Sequence, residues 1–174
     1  DHVNGVTPFL VQMDAAALYI PNSADKDAFR SEIEESFRGT INVVGVETVI
    51  PCGNGIITIF PPDSDTSGNE SGLCILFQAA DCDILITGDR NEAGELQLLE
   101  QTELPDLEAL IVGHHGARSS TSLELLRLTM PDVAVISVGE NHYGHPHEET
   151  LDRLSLFGCR ILRTDKEGTI ILRR

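Results

Sequence analysis

The feature that most constrains this chain is the regular alternation in its second half between apolar runs and amphipathic stretches. Runs at Asp83–Thr87, Ala109–Val112, Val133–Val138 and Arg160–Arg163 predict strands. Between them, Ala93–Glu100, Ser122–Met130 and Glu148–Phe157 carry apolar residues at helical spacing. Such alternation requires an α/β layer, with helices covering a sheet. The first half is richer in strands and turns, with runs at Thr40–Val49, Gly55–Phe60 and Gly72–Gln78. A short polar turn joins Gly72–Gln78 to Asp83–Thr87, which predicts a hairpin. Lys26–Phe37 places Phe29, Ile33 and Phe37 at i, i+4 and i+8, and a last strand is expected at Thr169–Leu172. The sum is a mixed sheet arrangement rather than a simple doubly wound fold. No repeat or low-complexity linker divides the chain, so one domain spanning residues 1–174 is expected.

Composition narrows the function classes. Of the 174 residues, 41% are apolar, enough for a sizeable core. Acidic residues number 28 against 12 basic ones, a formal net charge of -16. That balance suits bound divalent cations or plain solubility, and lacks the basic footprint of a non-specific nucleic-acid binder. No apolar stretch approaches the length of a membrane span, so the chain itself is expected to be soluble. It opens without a basic-then-apolar signal segment. The four cysteines, Cys52, Cys74, Cys82 and Cys159, form no CxxC pair, which excludes zinc-ribbon and thioredoxin readings. Cys74 and Cys82 sit in apolar runs and read as small buried hydrophobes; a single disulfide stays open.

Four clusters carry chemistry, three of them at the end of a predicted strand, where α/β folds place their sites. The first, Asp1-His2, means nothing alone. The second is Thr87-Gly88-Asp89: a carboxylate held at a strand end can bridge two cations, or can cap the following helix. The third is Gly113-His114-His115-Gly116, where flanking glycines let imidazoles reach a cleft. Histidine is the common nitrogen ligand and the common proton shuttle near neutral pH. The Ser119-Ser120-Thr121-Ser122 run behind it suits a helix cap or a phosphate held on backbone amides. The fourth is Asn141-His142-Tyr143-Gly144-His145-Pro146-His147, which gathers three of the six histidines into six residues. Pro146 suits a rigid loop and a helix start.

Together these clusters resemble the metallo-β-lactamase superfamily and, within it, the domain attached to the DNA-uptake protein ComEC. The matching stretches are Asp1-His2-Val3-Asn4-Gly5, Ser67-Gly68-Asn69-Glu70-Ser71, Ile86-Thr87-Gly88-Asp89, Val112-Gly113-His114-His115-Gly116 with Ser119–Ser122, and Tyr143-Gly144-His145-Pro146-His147. The tail Arg163-Thr164-Asp165-Lys166-Glu167-Gly168-Thr169-Ile170 also looks like that subfamily. The resemblance implies an αβ/βα four-layer sandwich with one or two metal ions between two sheets. Asp1 and His2 look like the last two members of the superfamily's HxHxDH signature, Asp89 like its bridging aspartate, and His145 like the final metal histidine. Asp1 is also expected among the catalytic groups. His114 or His115 would lie near the metals as proton donor or phosphate contact. Asn69, Ser119, Ser120 and His147 fall on the substrate side.

Two departures follow. Because the chain starts inside the signature, it is expected to be incomplete at its amino terminus, with the preceding strands missing. As it stands it should therefore bind metal weakly and hydrolyse little. Where the superfamily usually has a histidine, this chain has Asn69, as ComEC-like proteins often do, and this should weaken one metal site. The ligand set of carboxylates and few imidazoles suits Mn²⁺ or Zn²⁺. By resemblance, the partners are single-stranded DNA and a membrane channel in the same polypeptide, on the outer side of the cytoplasmic membrane. Two other readings stay open: a non-catalytic structural or DNA-guiding domain, and a small-molecule hydrolase on the same fold.

Overall fold

The computed structural model describes residues 5–33, 35–62, 71–80 and 82–173. In chain order the elements are α1 (Val6–Gln12), β1 (Ala17–Pro21), α2 (Lys26–Ile33), β2 (Thr40–Val44), β3 (Thr48–Cys52), β4 (Gly55–Phe60), β5 (Cys74–Ala79) and β6 (Cys82–Ile86). Then follow α3 (Glu92–Gln101), β7 (Ala109–Ile111), a tight turn at Gly113–Gly116, α4 (Leu123–Thr129), β8 (Val133–Ile136), α5 (Glu148–Leu156), β9 (Arg160–Arg163) and α6 (Thr164–Glu167).

Seven strands form one sheet in the order β3-β4-β5-β6-β7-β8-β9. From β3 to β6 neighbours run antiparallel, and from β6 to β9 they run parallel. The predicted hairpin is β5–β6, with Ala79 opposite Cys82 and Ala80 turning at φ 51°. The parallel half is the predicted alternation, because each crossover needs a helix and α3, α4 and α5 supply them.

Those helices cover one face of the large sheet. Leu98 of α3, Leu125 and Leu126 of α4 and Leu154 of α5 pack with Phe60, Cys74, Leu76, Leu85, Leu110 and Ile136. Each fully buried leucine stabilises the fold by about 1.5–3 kcal/mol relative to exposure. A second, smaller helix-on-sheet unit lies in the amino-terminal part. There β1 and β2 pair in parallel, and Leu10, Ile20, Ile33, Phe37 and Ile41 form a separate cluster. The spacing read at Phe29, Ile33 and Phe37 holds, although α2 is described only through Ile33.

Three sequence expectations differ from the structure. The run Thr40–Val49 is broken after Val44 into β2 and β3, which belong to different sheets. No strand forms at Thr169–Leu172; Ile171 and Leu172 are exposed beyond α6. Strand β1 and helix α1 were not expected, since each is short and weakly patterned. All four cysteines are free, and burial pushes the Cys74 thiol up to about 12. Among the described residues no helix is long and apolar enough to cross a membrane.

Candidate metal and hydrolytic centre

Strands β6, β7 and β8 are adjacent and parallel, so their carboxyl ends lie along one edge of the sheet. The loops leaving that edge hold Asp89, the His114-His115 pair and the 141–147 segment. Two glycines let these loops touch. A Cβ on Gly113 would lie 2.8 Å from Thr87 Oγ1, so only glycine lets the second loop lie against the first. Gly116 has φ 82°, and a Cβ there would meet Pro146 Cβ at 2.6 Å. The His147 amide also donates to the Gly116 carbonyl at 2.8 Å, and the His114 amide to the Gly88 carbonyl at 3.0 Å.

Asp89 is buried, and His114 Nε2 lies 3.9 Å from its Oδ2. The His114 and His145 rings meet edge to face, with centroids 5.6 Å apart. His145 Nδ1 is buried and has no hydrogen-bond partner among the described residues. Burial holds the His145 imidazolium below the usual histidine range; His114, His115 and His147 add to this, and Asp89 opposes it. The ring is therefore biased toward its neutral form, with a lone pair available. His114 and His115 both take left-handed backbone, at φ 48° and 56°. Such conformations cost about 1–3 kcal/mol each and persist where the surroundings enforce them.

Hydrogen bonds settle two tautomers. His115 Nδ1 lies 2.7 Å from the Ser137 carbonyl, which can only accept, so Nδ1 carries the proton and Nε2 is left as acceptor. His147 Nδ1 accepts from the Glu149 amide at 3.3 Å and caps α5, so Nε2 carries the proton and can donate. His114, Ala117, Arg118, Ser119, Tyr143, His145 and His147 line one cleft of about 500 Å³.

The expected substrate-side residues divide. Ser119 and His147 face the cleft, whereas Ser120 is buried and donates to the Gly113 and Ala117 carbonyls. Its hydroxyl holds the loop together, because a buried hydroxyl needs a partner and the loop carbonyls supply two. Asp1, His2 and Asn69 lie outside the described residues. Among the described residues no three His, Cys, Asp or Glu side chains form a group that could hold a metal ion.

Sequence reasoning named Asn141 only as part of its histidine loop, and missed Glu95 and Arg153, among the residues that hold these loops in place. Asn141 accepts from the His145 amide at 3.1 Å and donates to the His145 carbonyl at 2.8 Å, clamping that residue from both sides. An asparagine closely preceding a glycine is a turn signal that could have marked it. Glu95, wholly buried in α3, accepts from the Thr121 and Ser122 amides at 2.6 and 2.7 Å. Arg153 of α5 donates to the carbonyls of Arg118, Ser120 and Thr121. Nothing local in the sequence marks Glu95 or Arg153, since their partners lie 26–35 residues away.

No family model matches the chain. It is similar to ComE operon protein 3 of Bacillus subtilis, 36% identical over 105 residues, covering 60% of this chain and 14% of that protein. Recombination protein 2 of Haemophilus influenzae is 36% identical over 112 residues, covering 63% of this chain and 14% of that protein. Competence protein ComA of Neisseria gonorrhoeae is 36% identical over 114 residues, covering 63% and 16%. The matched segment is thus about one seventh of the length of these relatives. Among solved structures, the metallo hydrolase Igni18 of Ignicoccus hospitalis matches 99% of this chain and 75% of its own, with TM-score 0.60 at 12% identity. The diiron β-hydroxylase CmlA of Streptomyces venezuelae matches 84% and 38%, with TM-score 0.57 at 12% identity. In line with the resemblance read from the motifs, 60–63% of the chain is thus similar to a segment of these competence and recombination proteins, and its fold is that of the metallo hydrolase Igni18.

Proposed function

We propose that this chain supplies a metal-dependent phosphodiesterase centre that acts on single-stranded DNA during DNA uptake. The observation that carries the reading is the convergence of Asp89, His114 and His145 from three parallel strand ends, with His145 Nδ1 buried and without a partner among the described residues. One carboxylate and a neutral imidazole suit a divalent cation such as Mn²⁺ or Zn²⁺. Asp89 and His145 would hold it, and the resemblance would add Asp1 and His2. When bound, a divalent cation lowers the pKa of its water and neutralises charge on an attacked phosphodiester.

The remaining roles belong to the protein. His115 Nε2 is set to accept a proton because Ser137 fixes the proton on Nδ1. His147 Nε2–H is set to donate to a phosphate or leaving oxygen at the cleft wall. Ser119 stands at the same wall, where a hydroxyl can bond a phosphate oxygen. The strain at His114 and His115 fits residues held for function rather than packing. The competence relatives support the DNA-uptake setting, and by that analogy the domain works beside a membrane channel of the same polypeptide.

A second reading, a structural or DNA-guiding domain without catalysis, draws on two observations. No three-ligand group forms among the described residues, and the net charge of -16 opposes a polyanion. The test is cleavage of single-stranded DNA with Mn²⁺ by the chain extended upstream of Asp1, beside its Asp89→Ala variant. Cleavage that falls to background in the variant supports the hydrolase. No cleavage by the folded, metal-supplied protein favours the structural reading.

A further inference from the structure

Tyr143 is out of place as an ordinary surface residue. The residue is 84% exposed and lines the cleft together with His114, Arg118, Ser119 and His147. It does not wave free: it lies nearly parallel to the His145 ring, with 21° between planes and 6.1 Å between centroids. Asn141 fixes the Tyr143 backbone by accepting from its amide at 3.1 Å, while its other bonds hold His145. The outward face of Tyr143 is thus a preset aromatic plane one ring away from the proposed reaction centre.

The electrostatics say what such a plane is for. A strand of DNA receives little help from charge here, because the chain is strongly acidic. Among the described residues, Arg118 is the one guanidinium lining the cleft, and it is paired with Glu149 at 2.9 Å. Away from the phosphate at the reaction centre, affinity for a single strand then draws on its uncharged parts. Bases have π-faces that stack on aromatic rings at about 1–3 kcal/mol each, with little regard to sequence. A base on the outer face of Tyr143 leaves its own phosphodiester beside His145 and His147.

We infer that Tyr143 is a nucleobase platform, which positions a single-stranded substrate by stacking one base next to the His145 cleft. The inference rests on the reading of that cleft as a nuclease site, and deepens it. A double-stranded substrate keeps its bases stacked on one another, so the platform selects unpaired strands.

The test uses the 174-residue chain carrying Tyr19→Phe. Because the protein has two tyrosines and no tryptophan, Tyr143 then supplies all tyrosine emission. Oligothymidylate and an abasic oligodeoxynucleotide of equal length are titrated, with emission and the anisotropy of a labelled strand as readouts. Oligothymidylate should quench the emission, and the abasic strand should not. Tyr143→Ala should raise Kd for oligothymidylate about tenfold, Tyr143→Phe should restore it, and neither should change Kd for the abasic strand. An unchanged Kd for oligothymidylate in Tyr143→Ala, an equal loss on both strands, or no binding of either strand would overturn the platform. Separate assays of cleavage in Mn²⁺, with the chain extended upstream of Asp1, distinguish the two readings. The binding pattern without cleavage by the folded, extended chain sinks the nuclease and keeps the platform, and cleavage indifferent to Tyr143 does the reverse.

Discussion

Around β6–β9, Leu85, Leu98, Leu110, Leu125, Leu126 and Leu154 are wholly buried, and α3, α4 and α5 each begin on a side-chain cap from Asn91, Ser122 or His147. Around β1–β2, helix α1 begins at Gly5 with no such cap, and Phe9, Val11 and Met13 stand exposed. The first region has the larger buried core, although Leu96, Leu123, Leu128 and Leu156 of its helices are also exposed, and the second has the smaller one. The site residues described in the structure all leave the layer with the larger core. Left-handed backbone at His114 and His115 needs a support that does not yield, and the large-sheet core with its buried Glu95 and Arg153 anchors supplies one.

The contrast predicts that core truncations separate the regions most. Leu110→Ala should cost about 3–5 kcal/mol in urea unfolding, because its surroundings are too well packed to collapse. Ile33→Ala, in the smaller cluster, should cost nearer 2 kcal/mol. Native-state hydrogen exchange should rank the amides in the same way, with β6–β8 slowest and β1–β2 faster. Equal losses and equal protection would erase the contrast.

Next in size is the anchor between α3 and α4. Glu95→Ala leaves the Thr121 and Ser122 amides without an acceptor, at about 2–3 kcal/mol. The pH dependence sharpens this. Burial, the largest cause, raises the Glu95 pKa above its ordinary 4.5, against the bonds from Ser122 and Thr121 and the charge of Arg153. A raised carboxyl contributes most stability below its unfolded pKa and loses it as pH rises through the folded value. Glu95→Gln cannot ionise, so relative to the native chain it should gain stability as pH rises from the ordinary glutamate range. A parallel pair of stability curves would contradict the assignment. The smallest effect belongs to a single cap: Ser122→Ala should cost about 1 kcal/mol through the Leu125 amide it leaves unbonded.

The alternation from Asp83 to Arg163 was legible because each apolar run is short, ends in a turn or histidine loop, and is followed by helical spacing. The split of Thr40–Val49 was not, because its valines run on both sides of Gly45 while β2 pairs back with β1 and β3 pairs forward with β4. The loops bearing Asp89, His114, His115 and His145 were legible from their place after strands. Their mutual geometry was not: it depends on Gly113 and Gly116 admitting neighbouring loops, and on Asn141, Glu95 and Arg153 bonding across the fold. Ser120 shows the limit of reading residue type alone, since the same hydroxyl that suits a phosphate closes its own loop.

The central claim is that Asp89 and His145 act together as one cation-holding centre, and calorimetric titration of Mn²⁺ tests it most directly. The native chain, Asp89→Ala and His145→Ala would be titrated side by side, each also extended upstream of Asp1. Weak, saturable uptake by the native chain, tightened by the extension and abolished by either substitution, is the predicted result. Uptake unchanged in both variants, or no saturable uptake even by the extended chain, would contradict it.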